Sequence, residues 1–267
     1  MVGAIEKYNA RVERADSLVC AGLDPDFEKL PERFQKLEFP QFEFNKWIID
    51  QTAEYVAAYK PNIAFYESQG SKGVRELKMT VEYLQENYPD ILTICDAKRA
   101  DIESTSAQYA KAVFEWFGFD AVTLNPYLGK DALQPFLDYK DKGCSIVCRT
   151  SNPDAREFQD LLVEGRPLWQ VVAETVVKNW NGNKNCMLVV GATYPEDIKT
   201  VRELVGDMTL LVPGLGAQGG DVRAAVEAGR TAHGKGLMIS TGRAILFAEN
   251  PGQAARSLRD EINRWRA

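Results

Sequence analysis

The chain has 267 residues, which suits a single α/β barrel of around 250 residues better than two separate domains. With 45% hydrophobic and 26% charged residues it is neither disordered nor a disulfide scaffold. A net charge of -6 argues against the basic face that a nucleic-acid binder needs.

Eight short β-rich runs recur along the chain, at 17–24, 56–65, 91–98, 120–125, 144–151, 186–192, 208–214 and 236–242. Between them, apolar residues at three- and four-residue spacing predict amphipathic helices over 74–88, 104–118, 168–182 and 196–207. The strands follow one another at intervals of about 30 residues, the length of a βαβ crossover, and their near-continuous apolar character suits parallel strands buried on both faces. Eight such units predict a TIM (β/α)8 barrel forming one domain over 1–267, although an open doubly wound sheet would show the same alternation. The polar stretch 152–167 is expected to be a βα loop that can cover an active site. No apolar stretch reaches the roughly 20 residues of a membrane helix, and segment 1–15 has no signal-peptide core, so a cytoplasmic protein without membrane contact is expected.

The residue inventory narrows the chemistry. Cys20, Cys95, Cys144, Cys148 and Cys186 fall mostly in apolar runs, where a free thiol behaves as a small hydrophobe. In an extended strand Cys144 and Cys148 are roughly 13 Å apart, too far to share a metal. The single histidine, His233, has no nucleophile beside it and Cys-x-x-Cys does not occur, so neither a Ser-His-Asp arrangement nor a zinc site is expected. Carboxylates, lysines and backbone dipoles remain.

In a barrel the chemistry sits at the C-terminal strand ends. Here the first strand end carries Asp24, the second Lys60, the third Asp96 and Lys98, and the fifth Thr150 and Ser151. Alternation along a strand puts Asp96 and Lys98 on one side. Two acids and two lysines in one mouth hold each other charged, and can oppose a substrate anion while a lysine holds a proton; a salt-bridge ladder that only caps the barrel is the other reading. Gly214, Gly216 and Gly219 match the dinucleotide fingerprint, but late in the chain and without the following acid, so NAD is not expected. Gln218, Gly219, Gly242 and Arg243 instead suit a phosphate, with close N–H groups, an amide and a guanidinium; a tight turn with a surface arginine is the alternative.

The stretch DAKRADIEST at 96–105 resembles the D-x-K-x-x-D signature of the orotidine 5'-phosphate decarboxylases, in particular the bacterial-type form DAKRGDIxST, with Ala100 in place of its glycine. Matches in order at AGLDPD, YKPNIAFYE, TLNPYLG, RTSNPDAREFQ, VPGLGAQGGD and STGRAI extend the resemblance over nearly the whole chain. It implies conversion of orotidine 5'-monophosphate to UMP, the last step of pyrimidine nucleotide synthesis, with neither metal nor organic cofactor. It further implies a charged network of Lys60, Asp96, Lys98 and Asp101, in which Asp96 faces the substrate carboxylate and Lys98 protonates C6. Asp24 would bind ribose hydroxyls, Thr150 or Ser151 the pyrimidine, and Gln218 and Arg243 the phosphate. Asp101, Ile102 and Thr105 would enter the neighbouring subunit's site, which makes the expected assembly a homodimer with shared sites. A metal-dependent sugar-phosphate decarboxylase with the same signature and a non-catalytic phosphate-binding barrel are the competing expectations.

Overall fold

The computed structural model describes residues 2–215 and 221–266. Eight strands form the barrel: β1 (Val19–Gly22), β2 (Ala58–Lys60), β3 (Leu92–Arg99), β4 (Ala121–Leu124), β5 (Gly143–Arg149), β6 (Cys186–Val190), β7 (Leu210–Pro213) and β8 (Leu237–Thr241). Each pairs in parallel with the next in the chain, and β1 closes on β8 with Val19 opposite Ile239. That closure excludes the open doubly wound sheet. Every residue of β1, β4, β6 and β8 is buried, as expected for parallel strands covered by helices outside and by each other's side chains within.

The helices take up the predicted apolar spacing. Helix Gly70–Asn87 turns Leu77, Thr80, Val81 and Leu84 inward at three- and four-residue intervals. It starts four residues before the predicted 74–88. Helices Glu103–Lys111 and Leu168–Thr175 each continue through a wider π turn, at Ala112–Phe117 and Val176–Trp180. The N-terminal helix Ala4–Ala15 closes the opposite end of the barrel: the buried Tyr8 hydroxyl donates to Leu237 O at 2.5 Å, and Arg11 Nε donates to Val56 O at 3.1 Å. These carbonyls lie at the N-terminal ends of β8 and β2, so the barrel is left open at its C-terminal end.

Two strands break register at that open end. Between Cys95 and Arg99 β3 advances four residues while β4 advances two, and between Val147 and Arg149 β5 advances two while β6 advances one. Such bulges re-aim side chains beside active sites.

The segment 152–167, expected to be a βα loop, does join β5 to the helix Leu168–Thr175 and has secondary structure of its own. It contains a turn at Pro153–Ala155, a short helix at Arg156–Gln159 and a hairpin pairing Leu162–Val163 with Arg166–Pro167. The hairpin turns at Glu164 and Gly165, whose φ angles of 51° and 79° are those of a two-residue type I′ turn. Arg149 anchors the segment: its side chain, 5% exposed, pairs with Asp160 at 2.7 Å and with Asp197 at 2.8 Å. Arg149→Met should leave both carboxylates without their cation and cost about 3 kcal/mol. Urea denaturation should show that loss, and limited proteolysis should show faster cutting within 152–167.

Candidate active site

The site grows from the bulged end of β3. Asp96, with a side chain 10% exposed, accepts from Lys60 Nζ at 2.8 Å on Oδ2 and from Lys98 Nζ at 2.7 Å on Oδ1. The hydroxyl of Thr123, on β4, also donates to Oδ1 at 2.9 Å. Lys60 ends β2 and is buried; Lys98 is half exposed and reaches toward the opening. Asp24 lies two residues beyond β1 rather than on it, and its carboxylate accepts the Asn62 N–H at 2.9 Å.

Asp96 and Lys98 do meet, but not through regular strand alternation. Lys98 has φ 44°, and residues 96–98 bulge out opposite Thr123 alone. The N–H groups of Ala97 and Lys98 both donate to Thr123 Oγ1, at 3.0 and 2.9 Å. Alternation would have been set by a ladder that this stretch does not have.

Burial alone would raise the pKa of Asp96, but the flanking Lys60 and Lys98 charges and their hydrogen bonds outweigh it and hold the carboxyl well below the usual aspartate range. For Lys60, burial pulls downward, and the Asp96 and Asp24 charges override it to raise the ammonium above an ordinary lysine. Asp24 goes the other way: burial raises it, only partly offset by Lys60 and the Asn62 N–H. Burial also pushes the Cys20 thiol, nearby on β1, up to about 12, which keeps it a neutral core residue.

Two cavities open here, sharing Lys60 and Pro213. The larger, about 340 Å³, runs from Asp24 past Ser240 and Thr241 to Gly242 and Arg243. The smaller, about 250 Å³, is bounded by Asp96, Lys98, Thr123, Thr150 and Ser151. One lobe therefore ends at a guanidinium and the other at the Lys–Asp–Lys array. That division suits an elongated substrate with an anionic tail and a separate reacting group.

Of the residues singled out in the sequence, Asp24, Lys60, Asp96, Lys98, Thr150, Ser151, Gly242 and Arg243 line these cavities. Gln218 and Gly219 lie outside the described residues. Asp101, Ile102 and Thr105 line neither cavity: the Asp101 carboxylate accepts its neighbour Ile102 N–H at 2.7 Å, and Ile102 and Thr105 are exposed. The Thr150 hydroxyl donates to Asn152 Oδ1 and accepts from Gln159 Nε2, both at 2.7 Å, while Gln159 Oε1 takes the Thr150 N–H at 2.9 Å. Four contributors were not picked out from the sequence: Thr123, Asn62, Gln159 and Gly191. At Gly191 a Cβ would stand 2.9 Å from the Ser151 Cβ and N, so a side chain there would push Ser151 out of place. Among the described residues no three His, Cys, Asp or Glu side chains are grouped to hold a metal ion.

Residues 17–258 match the model of the Orotidine 5'-phosphate decarboxylase / HUMPS family. The chain belongs to this family. It is 50% identical over 272 residues to an orotidine 5'-phosphate decarboxylase of Cellvibrio japonicus, covering 98% of this chain and 99% of that protein. A Janthinobacterium relative of the same name is 48% identical, covering 98% of each. Among solved structures, Leishmania donovani OMP decarboxylase superposes with a TM-score of 0.90 at 37% identity, covering 99% of both chains. The bulged charged array at the end of β3 thus lies within the matched region of a decarboxylase family.

The opposed pKa shifts fix an order of protonation. Asp96 contributes stability that is complete above the ordinary aspartate value of about 3.9 and fades only as pH falls through its own depressed value. Lys60 contributes fully below the ordinary lysine value of about 10.4, and its share fades as pH rises through its raised value. On acidification Asp24 should therefore protonate well before Asp96. Carboxyl carbon NMR with assigned aspartates reads this order directly; an Asp96 that titrates together with Asp24 or before it would contradict it.

Proposed function

We propose that this chain is a carboxy-lyase that converts orotidine 5'-monophosphate to UMP and carbon dioxide. The observation that carries the reading is Asp96, a buried carboxylate kept ionised between Lys60 and Lys98 in the lining of the smaller cavity. Family membership and the relatives' names support it.

The substrate's phosphate would lie toward Gly242 and Arg243 in the larger cavity, where a guanidinium can hold two of its oxygens. The ribose hydroxyls would meet Asp24, and the pyrimidine would enter the smaller cavity against Thr150 and Ser151. The carboxylate at C6 then faces Asp96 and Lys98.

The bond from C6 to the carboxylate carbon breaks, carbon dioxide leaves and the electron pair stays on C6. That carbanion has no adjacent electron sink, so its charge must be met by a cation already in place. Lys98 Nζ is that cation, and a proton passes from it to C6 to give UMP. Lys60 and Lys98 hold Asp96 ionised meanwhile, so no proton is lost to it. Repulsion between Asp96 and the substrate carboxylate adds to the driving force as the carboxylate leaves. Binding the remote phosphate can offset the cost of bringing the two like charges together. These steps call on side chains alone.

We further assign a homodimer with shared sites. Ile102 is 59% exposed, Tyr127 82%, Leu128 48% and Tyr109 38%, an apolar surface around Asp101. Arg99 lies between its two parts: it stacks on Tyr109, and its carbonyl accepts the N–H of Asn125, two residues before Tyr127, at 2.9 Å. A second copy covering this surface would bring Asp101, Ile102 and Thr105 to the partner's cavity. A cytoplasmic setting suits the five free, buried cysteines.

Lys98→Ala should keep the fold and lose turnover by about a thousandfold or more; near-normal turnover would remove Lys98 as donor. Arg243→Ala should raise KM about 10- to 100-fold, and an unchanged KM would move the phosphate elsewhere. Mixing Lys98→Ala with Asp101→Ala chains should restore up to about a quarter of wild-type activity, because one site of each mixed dimer is then intact. No recovery, with mixed dimers present, would mean that each subunit works alone.

A further inference from the structure

Thr123 belongs to neither the charged array nor the cavity's polar rim as the sequence presents them, yet its hydroxyl touches both elements of the catalytic pair. It lies on β4, is 1% exposed and is paired in register with Ser145. A hydroxyl has one proton to donate and two lone pairs to offer. All three are used: Oγ1 accepts the N–H groups of Ala97 at 3.0 Å and Lys98 at 2.9 Å, and donates to Asp96 Oδ1 at 2.9 Å.

The geometry explains why a hydroxyl is needed there. Across the bulge, β3 spends two more residues than β4, so the ladder offers no carbonyl to the N–H groups of Ala97 and Lys98. Thr123 Oγ1 replaces it. The same atom thereby holds Lys98 at φ 44°, a conformation that a non-glycine residue keeps only when its surroundings impose it. It also fixes Asp96 Oδ1, the oxygen to which Lys98 Nζ is bonded at 2.7 Å. The backbone that aims the ammonium and the carboxylate that receives it are set by one oxygen.

We propose that Thr123 is a positioning residue for the reaction: its hydroxyl, through the bulge and Asp96, places the Lys98 ammonium where C6 is protonated. This rests on the reading of Lys98 as the proton donor and deepens it.

The test compares Thr123→Val, which keeps the shape and loses the hydroxyl, with Thr123→Ser, which keeps the hydroxyl and loses a methyl, alongside wild type and Lys98→Ala. Turnover of orotidine 5'-monophosphate gives kcat and KM, calorimetry gives UMP affinity, and circular dichroism and Tm report folding. Thr123→Val should lose about 100-fold in kcat while UMP affinity changes by less than about fivefold. Thr123→Ser should keep kcat within about threefold of wild type. Should Thr123→Val fail to fold, Thr123→Ala takes its place, and Thr123→Ser must still outperform it by the same margin. A folded Val variant with wild-type kcat, or a Ser variant as slow as Val or Ala, would overturn the proposal. A Lys98→Ala chain that turns over normally would instead overturn the donor reading beneath it, whatever the result at 123.

Discussion

The site depends on one carboxylate that stays charged where carboxylates normally do not. Taking an ion out of water costs several kcal/mol even after relaxation, and Asp96 is nine-tenths buried. Two ammonium groups and a hydroxyl offset that cost, and each comes from a fixed place: Lys60 from the end of β2, Lys98 from the bulge of β3 and Thr123 from β4. Three adjacent strands must end side by side for the charges to meet. The barrel supplies that order of strands, and the N-terminal helix that seals its far end leaves the C-terminal mouth as the place where the array can face a ligand.

A site held this way is organised before substrate arrives. Asp96 is already held ionised and Lys98 already paired with it, so the proposed reaction would ask for little rearrangement of charge in the protein. The larger lobe differs in carrying the Arg243 guanidinium. On the proposed function, a phosphate held there would supply binding energy to bring the substrate carboxylate up against Asp96. Lys60, shared by both lobes, ties them together.

Much of this was legible in the sequence because it is periodic or concentrated. The eight apolar runs became the eight strands, and DAKRADIEST fell at a strand end, where barrel chemistry belongs. Less visible was anything that depends on a break in period. Alternation put Asp96 and Lys98 on one side, whereas the contact is made through a bulge and a positive φ that no spacing announces. Thr123, between apolar neighbours in β4, reads as an ordinary strand threonine until the ladder opposite it is seen to lack two residues' partners. The 152–167 segment read as a polar loop because its hairpin is only two residues deep and its anchor, Arg149, sits just upstream in a strand. Gly191 carries no signal of its own; only the proximity of Ser151 across the strands explains it.

On the proposed function, side chains alone, arranged around an ionised Asp96, remove carbon dioxide from the nucleotide. The most direct measurement follows the near-ultraviolet absorbance of orotidine 5'-monophosphate after adding the protein pretreated with EDTA and freed of chelated metal. Conversion to the UMP spectrum is expected at the same rate as with untreated protein. No conversion by a folded protein, or activity that returns only on adding magnesium, would contradict it and favour a metal-dependent sugar-phosphate chemistry on the same barrel.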